Sequence, residues 1–171
     1  GPLNGGWTVA KRLLQFERDN ISAGLGGGSI GAPVTALTVK QAAKDYVGLD
    51  ESGRLADGDF RRRVTEHLME VQAFQQTVRR AADEAKAGNG PSAATSIMKY
   101  AGAKVAMDRN ELIVEALGSA GLGWQGDGFA GPELAAVRTW LRSKGNSIEG
   151  GTSEINLNVV SKRVLGLPDP K

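Results

Sequence analysis

Apolar positions recur at helical spacing along most of the chain and predict an all-α protein. The clearest pattern runs from Phe60 to about Lys86, where one face stays apolar over many turns. The members of that predicted face are Phe60, Val64, Leu68, Val71, Gln75, Val78, Ala82 and Ala85. No alternating pattern typical of a strand stands out, so the fold class predicted is an up-and-down four-helix bundle with additional short C-terminal helices.

Five further helices follow from the same periodicity and from start and stop signals. The fourth along the chain is apolar almost all round, so we expect it at the centre of the bundle. A glycine-rich loop follows it from Gly118 to Gly131, and Pro132 is typical of the first turn of a helix. The predicted bounds are residues 7–22, Thr35 to Val47, 93–118, 132 to about 144, and a last helix capped by Thr152 that ends near Gly166.

The first helix carries one acid in the middle of its apolar stripe. The stripe contains Trp7, Ala10, Leu13, Leu14 and Ile21, and Glu17 lies between its members. A buried carboxylate is costly unless it is paired, and burial raises its pKa toward the range of a general base. Glu17 is therefore either a catalytic base or the partner of Arg18 or of a residue on a neighbouring helix.

Composition narrows the function classes. The chain has 171 residues, 40% of them hydrophobic, and a net charge of +2, which predicts one domain without the basic footprint of a nucleic-acid binder. The run from Arg61 to Arg63 is typical of a solvated helix face.

The absence of cysteine excludes disulfides, thiolate metal sites and a cysteine nucleophile, and favours a cytoplasmic location. We expect no metal site and no membrane span. Without an initiator Met, the chain is expected to be a fragment of a longer one.

Three other features are weaker signals. The triplets Gly26, Gly28, Gly31 and Gly121, Gly123, Gly126 match a dinucleotide-binding spacing, but no predicted strand precedes either, so both are rejected as sites of that kind. His67 has no second histidine or cysteine beside it in the pattern, which favours a structural or interface histidine over a catalytic one.

A pair of glycines, Gly150 and Gly151, precedes the last predicted helix. Thr152 can cap that helix, and Glu154 complements the positive end of its dipole. Glycines let another group approach the backbone closely, so that amide N–H groups can bind a carbonyl or a phosphate. A helix-capping turn alone accounts for most of this pattern.

The same stretch resembles the C-terminal signature of the acyl-CoA dehydrogenases. The resemblance rests on the run from Ser147 to Asn156 and on Ser161 to Pro168. Gly6 to Ala10 with Phe16-Glu17-Arg18, and Glu115 to Gly121, are similar to further parts of that family. The chain is thus identified as a single C-terminal helical-bundle domain, residues 1–171, of an acyl-CoA dehydrogenase.

The resemblance implies an FAD-dependent α,β-dehydrogenation of an acyl-CoA substrate. In that reaction a glutamate removes the α proton while hydride leaves the β carbon for the flavin. Expected partners are electron-transfer flavoprotein or a similar acceptor and further subunits, in a homo- or hetero-oligomer that is a dimer or tetramer. The isolated fragment is expected to be inactive and to self-associate through apolar faces.

The resemblance also assigns the catalytic base. Many members carry it in the last loop, where this chain has Gly150, and Glu149 falls one place too early. A second branch carries a Glu-Arg pair on the first helix, which Glu17 and Arg18 match. Glu17 is therefore the expected base, Arg18 and Gly150 are expected at the substrate, and the Gly150 amide is expected to polarise the thioester carbonyl.

The cofactor residues are assigned in the same way. Thr152 and Glu154 match positions that touch FAD. A second set matches the loop that contacts the dinucleotide of a neighbouring subunit's flavin, although Glu115 replaces a usual Gln and Ser119 a usual Gly, and an Arg-x-x-x-Phe-Gly motif is missing. That set is Glu115, Gly118, Ser119 and Gly121. The altered dinucleotide loop and the missing loop glutamate keep an alternative open, a non-catalytic partner subunit that supplies flavin contacts and packing surface. Two further alternatives are a shifted register with Glu149 as the base and a helical interaction module without flavin.

Overall fold

The computed structural model describes residues 3–25, 37–88 and 95–168, apart from the side chains of residues 15, 17–25, 95 and 96. Within these ranges the backbone is helical, with one isolated bridge between Leu49 and Leu55 and no strand. The helices are α1 Gly6–Leu25, α2 Val39–Ala42, α3 Gly58–Lys86, α4 Thr95–Leu117, α5 Gly131–Ser143 and α6 Ser153–Val159. The all-α prediction is confirmed.

Short segments of other helical types extend four of these helices. Ala43–Val47 continues α2 as a π-helix and Val160–Val164 does the same for α6, while Gly118–Leu122 and Lys144–Ser147 are 3₁₀ turns after α4 and α5. The glycine-rich stretch after α4 thus begins with a 3₁₀ turn. Pro132 lies in the first turn of α5, as predicted.

Helix α4 is the centre of the bundle, as its all-round apolar pattern predicts. It contacts α1, α2, α3, α5 and α6. One hydrophobic core forms where α2, α3, α4 and α5 meet, and its largest contributions come from Phe60, Val64, Leu112, Ile113 and Leu117. On α4 the core uses Leu112, Ile113, Ala116 and Leu117, so this packing fixes the C-terminal part of the helix, where the second predicted cofactor segment begins.

The buried face of α3 differs from the predicted one. Buried and half-buried positions alternate in steps of four and three, which is the spacing of a coiled-coil seam against α4. They are Phe60, Val64, His67, Val71, Phe74, Val78 and Ala81. Leu68, Gln75, Ala82 and Ala85 are exposed. The predicted members follow the 3.6-residue period of a straight helix and leave out Phe74, whereas the observed seam repeats every 3.5 residues.

Helix α2 begins later than predicted. Residues 37 and 38 are not helical. The hydroxyl of Thr38 accepts the Gln41 backbone N–H at 3.2 Å, and the Gln41 side chain accepts the Thr38 N–H at 3.1 Å, which is a capping box. Thr38 therefore starts this helix and the predicted start at Thr35, which itself lies outside the described residues, is wrong. The other described helix bounds fall within a few residues of the predicted ones.

Helix α1 contacts α4, yet large apolar side chains in its described part remain exposed. Trp7 is 68% and Leu13 67% exposed, and Leu14 is exposed as well. The expectation that this apolar stripe is buried is wrong for the chain by itself. Whatever covers the stripe is not among the described residues of this chain.

Candidate functional site

The turn before α6 depends on two consecutive glycines in left-handed conformations. Gly150 has φ 66° and Gly151 φ 100°. Thr152 follows this turn directly. Its hydroxyl accepts the Ile155 N–H at 3.3 Å and caps α6 as predicted. The Asn156 amide donates to the carbonyls of Gly151 and Thr152, both at 2.9 Å. A side chain at either glycine would strain this backbone.

Glu154 lies in the first turn of α6, at the positive end of the helix dipole. Its own backbone N–H and the Thr152 hydroxyl hold the pKa of its carboxyl below the usual value. The carboxylate is exposed to solvent. Thr152 and Glu154 thus form one charged and capped helix start directly after the glycine pair.

Glu149 is engaged by an arginine of α5. Its Oε1 lies 2.5 Å from Nη1 of Arg142, and the pair raises the pKa of the guanidinium. The pair passes over Gly145, where an added Cβ would lie 2.7 Å from each of these two atoms. This ion pair links the end of α5 to the residue before the glycine pair and so bridges the two ends of the segment between them.

The N-terminal part of α4 holds the same segment from the other side. Nζ of Lys99 donates to the backbone carbonyl of Asn146 at 2.5 Å. About three turns further along α4, Glu111 accepts from Lys144 at 2.6 Å and from the Trp140 indole at 3.3 Å, and both donors lower the pKa of its carboxyl. These contacts hold the segment that leads to Gly150 and Gly151 against α4; the turn at these two glycines is called the substrate turn below.

The second predicted cofactor segment follows the C-terminal end of α4. Gly118 has φ 55°, with open space where a Cβ would be, and Ser119 is exposed. Gly121 is buried, and a Cβ there would lie 2.6 Å from the Val114 carbonyl oxygen. Gly118 and Ser119 are therefore available to a ligand, whereas Gly121 is required by packing.

Glu115, in the last turn of α4, is paired with Arg63 of α3. Nη2 of Arg63 lies 2.6 Å from Oε2 of Glu115, and Nη1 contacts Oε1, so that the pair is bidentate. The carboxylate raises the pKa of the guanidinium. Sequence reasoning missed Arg63, Arg142 and Lys99, because their roles depend on partners that are distant in the chain.

The other arginines of the basic run are also engaged within the chain. Arg61 donates to the Leu55 carbonyl at 2.8 Å, and Arg62 bridges Asp59 and Glu66 on its own helix. Arg62 is exposed and the two flanking arginines are half-buried. The run is a helix face, as the sequence indicates, with one member that reaches α4.

His67 lies buried at the interface of α3 and α4, as expected of a structural histidine. It is 5% exposed, and its Nδ1 has no hydrogen-bond partner within the described part of the chain. Burial lowers its pKa. The charged groups facing it are Asp108, Arg109, Glu70 and Lys104. Burial therefore favours the neutral form of His67 in the folded chain.

The remaining sequence predictions concern the Glu-Arg pair of α1 and the two glycine triplets. Glu17 and Arg18 lie in α1, and their side chains are outside the described residues, as are Gly26, Gly28 and Gly31. The second glycine triplet follows α4 rather than a strand, and at Gly123 the Phe129 ring occupies the space of a Cβ. The rejection of this second triplet as a Rossmann site is confirmed.

One apolar groove of about 260 Å³ opens between α3 and α4. Phe74, Ile97, Met98 and Tyr100 are among its lining residues, and none of the predicted site residues is. Over residues 3–25, 37–88 and 95–168, no cluster of acids and histidine is suited to hold a metal ion. In the same ranges no helix combines the length and the apolar character needed to cross a bilayer.

Two contacts of α4 locate the candidate segments along its axis. Lys99 holds the segment before the glycine pair through the Asn146 carbonyl, and the second segment starts at Gly118. At the rise of an α-helix Lys99 and Gly118 are about 28 Å apart along the axis. Lys144, close to Asn146 in the chain, contacts Glu111, so the segment before the glycine pair also extends toward the Gly118 end of α4.

Residues 4–165 match the family model described as "Acyl-CoA dehydrogenase, C-terminal domain". The chain belongs to the acyl-CoA dehydrogenase family. Among curated relatives, it is 29% identical over 170 residues to acyl-CoA dehydrogenase FadE34 of Mycobacterium tuberculosis, covering 98% of this chain and 20% of the relative. It is 26% identical over 172 residues to acyl-CoA dehydrogenase IpdE1 of Mycolicibacterium smegmatis, covering 98% of this chain and 38% of the relative.

Two solved structures share the acyl-CoA dehydrogenase fold of this chain. The ChsE4–ChsE5 complex from Mycobacterium tuberculosis superposes with a TM-score of 0.60 at 21% identity, over 78% of this chain and 34% of that one. A variant of the Tcur3481–Tcur3483 steroid ACAD gives a TM-score of 0.64 at 20% identity, over 99% and 42%. This acyl-CoA dehydrogenase domain therefore spans less than half of each relative.

Proposed function

We propose that the protein containing this domain is an FAD-dependent acyl-CoA dehydrogenase in which Glu17 removes the α proton of the thioester. The observation that carries the proposal is the left-handed conformation of Gly150, at the position where many members have a loop glutamate. Glu149 is engaged with Arg142. With the loop carboxylate missing and its neighbour paired, the Glu-Arg pair of α1 is the remaining match to a family base.

The substrate turn serves orientation in this proposal. At two consecutive glycines, a thioester can approach the backbone without meeting a Cβ. The Gly150 amide is the proposed donor to the thioester carbonyl, which acidifies the α proton that Glu17 takes. Arg18 is proposed to lie beside the substrate on α1. Arg142 and Lys99 hold the turn in register.

The residues present fit a flavin dinucleotide. FAD, when bound, supplies the hydride acceptor. Thr152 and Glu154 offer a hydroxyl and an exposed carboxylate at the start of α6, and Gly118 and Ser119 offer an open backbone edge. Because Lys99, which holds the segment before the glycine pair, and Gly118 are about 28 Å apart along α4, we propose that the two segments contact flavins of two different subunits. This arrangement requires at least a dimer.

The wider context is proposed from the family and from its relatives. We propose a cytoplasmic enzyme that passes electrons to an electron-transfer flavoprotein or a similar acceptor. Because one relative of the same fold is titled a steroid ACAD, we include steroid acyl-CoA thioesters among the candidate substrates.

The proposal is tested on the purified parent protein. The expected result is bound FAD, identified by its absorbance, and bleaching of that absorbance by at least one member of a panel of straight, branched and steroid acyl-CoA thioesters. A colourless parent that takes up no FAD would overturn the proposal.

A second candidate is a non-catalytic partner subunit. Two solved structures of the same fold are titled as pairs of differently named chains, which supports a heteromer. In this case the parent alone holds no flavin and does not turn over, and both properties appear on mixing with a second family member. Glu17→Gln in the mixed complex would then leave turnover unchanged.

A further inference from the structure

Glu115 places a negative charge next to the segment where the negatively charged diphosphate of a dinucleotide would bind. The residue lies in the last turn of α4, immediately before the segment Gly118–Leu122, and its carboxylate also faces the negative end of the α4 dipole. A lone carboxylate there would repel a diphosphate. Arg63 of α3 meets this carboxylate with both terminal nitrogens.

We propose that Arg63 is a positioning residue that neutralises Glu115, so that the open edge at Gly118 and Ser119 can take the diphosphate of a dinucleotide. The inference rests on the proposed function, since it assumes that the ligand is FAD. It adds a residue from α3, which neither the periodicity nor the family resemblance assigns.

Arg63 is better placed to neutralise the Glu115 carboxylate than the other arginines of the basic run. The contact joins two helices and uses the planar fork of a guanidinium, which a lysine cannot reproduce. Arg63 and Glu115 are 35% and 43% exposed, so that their charges are less screened than those of fully solvated groups. In the described part of the chain, Arg62 pairs with Asp59 and Glu66 of its own helix rather than with α4.

Charge balance gives a pattern that simple structural loss would not produce. Arg63→Met leaves the Glu115 carboxylate uncompensated, and FAD affinity is expected to fall roughly tenfold. Glu115→Gln leaves the Arg63 guanidinium uncompensated beside the bound diphosphate, so affinity is expected to rise, by up to roughly tenfold. The double variant lacks both charges, and its affinity is expected to return close to that of wild type. Arg63→Lys keeps the charge without the fork and should lie between wild type and Arg63→Met.

The experiment measures FAD binding to the full-length parent protein, stripped of flavin and titrated with FAD, by the change in flavin fluorescence. Arg62→Met is the matched control on the same helix and should bind like wild type. Thermal unfolding of each flavin-free variant separates loss of affinity from loss of fold.

Two results would overturn the inference. One is an Arg63→Met affinity equal to that of Arg62→Met. The other is a double variant no better than Arg63→Met. A wild-type parent that binds no FAD overturns the proposed function first, and this inference with it, whereas normal FAD binding by wild type and by Arg63→Met overturns the inference alone.

Discussion

Arg142 and Glu149 form an ion pair that crosses directly over Gly145 and closes the segment leading to the glycine pair. The contact explains why the most conspicuous acid of that segment is engaged with α5. It also makes Gly145 a position where a small side chain has a measurable effect. The pair is solvent-exposed, so its energetic contribution is modest.

Gly145→Ala is expected to displace this pair, because its Cβ would lie 2.7 Å from both charged ends. The free energy of unfolding should fall by up to about 1 kcal/mol, as on losing an exposed ion pair. In an Arg142→Gln background the same substitution should cost less, which a double-mutant cycle by chemical denaturation measures. Equal costs in both backgrounds would contradict the crossing geometry.

Gly121→Ala is expected to be more damaging, since its Cβ would meet the backbone carbonyl of Val114 at 2.6 Å. Overpacking against a backbone atom at a buried position costs about 1 to 3 kcal/mol. Chemical denaturation measures the loss. Gly128→Ala, where the added methyl meets open space, is the control. A Gly121→Ala chain as stable as this control would show that α4 and the following turn are not packed as described.

The glycine positions and the all-α class were readable from the sequence, whereas the partners of individual side chains were not. The helix cap at Thr152 could be predicted because the capping residue and the helix are adjacent in the chain. The pairing of Arg63 with Glu115 joins residues far apart, and no local pattern encodes it. His67 was read as a structural or interface histidine on the apolar stripe of α3, and its burial on that helix agrees.

Buried His67 predicts a specific dependence of stability on pH. Its pKa in the folded chain lies below the ordinary value of 6.5. Between those two pKa values the unfolded chain binds a proton that the folded chain does not, so stability falls as the pH drops below 6.5 and levels off below the folded pKa. The free energy of unfolding, measured by urea denaturation from pH 7 to pH 5, should decrease accordingly.

His67→Leu should abolish the decrease within that window. Asp50→Asn should not, because the pKa of Asp50 is lowered from an already acidic value and its contribution is lost only at lower pH. An unchanged slope in His67→Leu would mean that another group titrates there.

The exposed apolar stripe of α1 predicts self-association of the isolated domain. Trp7, Leu13 and Leu14 are its described exposed members. Leu13→Lys should shift sedimentation toward the monomer, whereas Leu68→Lys, at an equally solvent-facing position of α3, should not. A wild-type domain that sediments as a monomer at all accessible concentrations would contradict this prediction.

The central claim is that the proton-abstracting carboxylate comes from α1 rather than from the turn before α6. Turnover of the full-length parent with Glu17→Gln and, separately, with Glu149→Gln tests it most directly, with flavin absorbance recorded throughout. The account predicts that Glu17→Gln removes at least about 99% of turnover, the scale of a lost general base, while flavin is retained and Glu149→Gln stays active. Loss of turnover with Glu149→Gln alone, or full activity of Glu17→Gln, would contradict it.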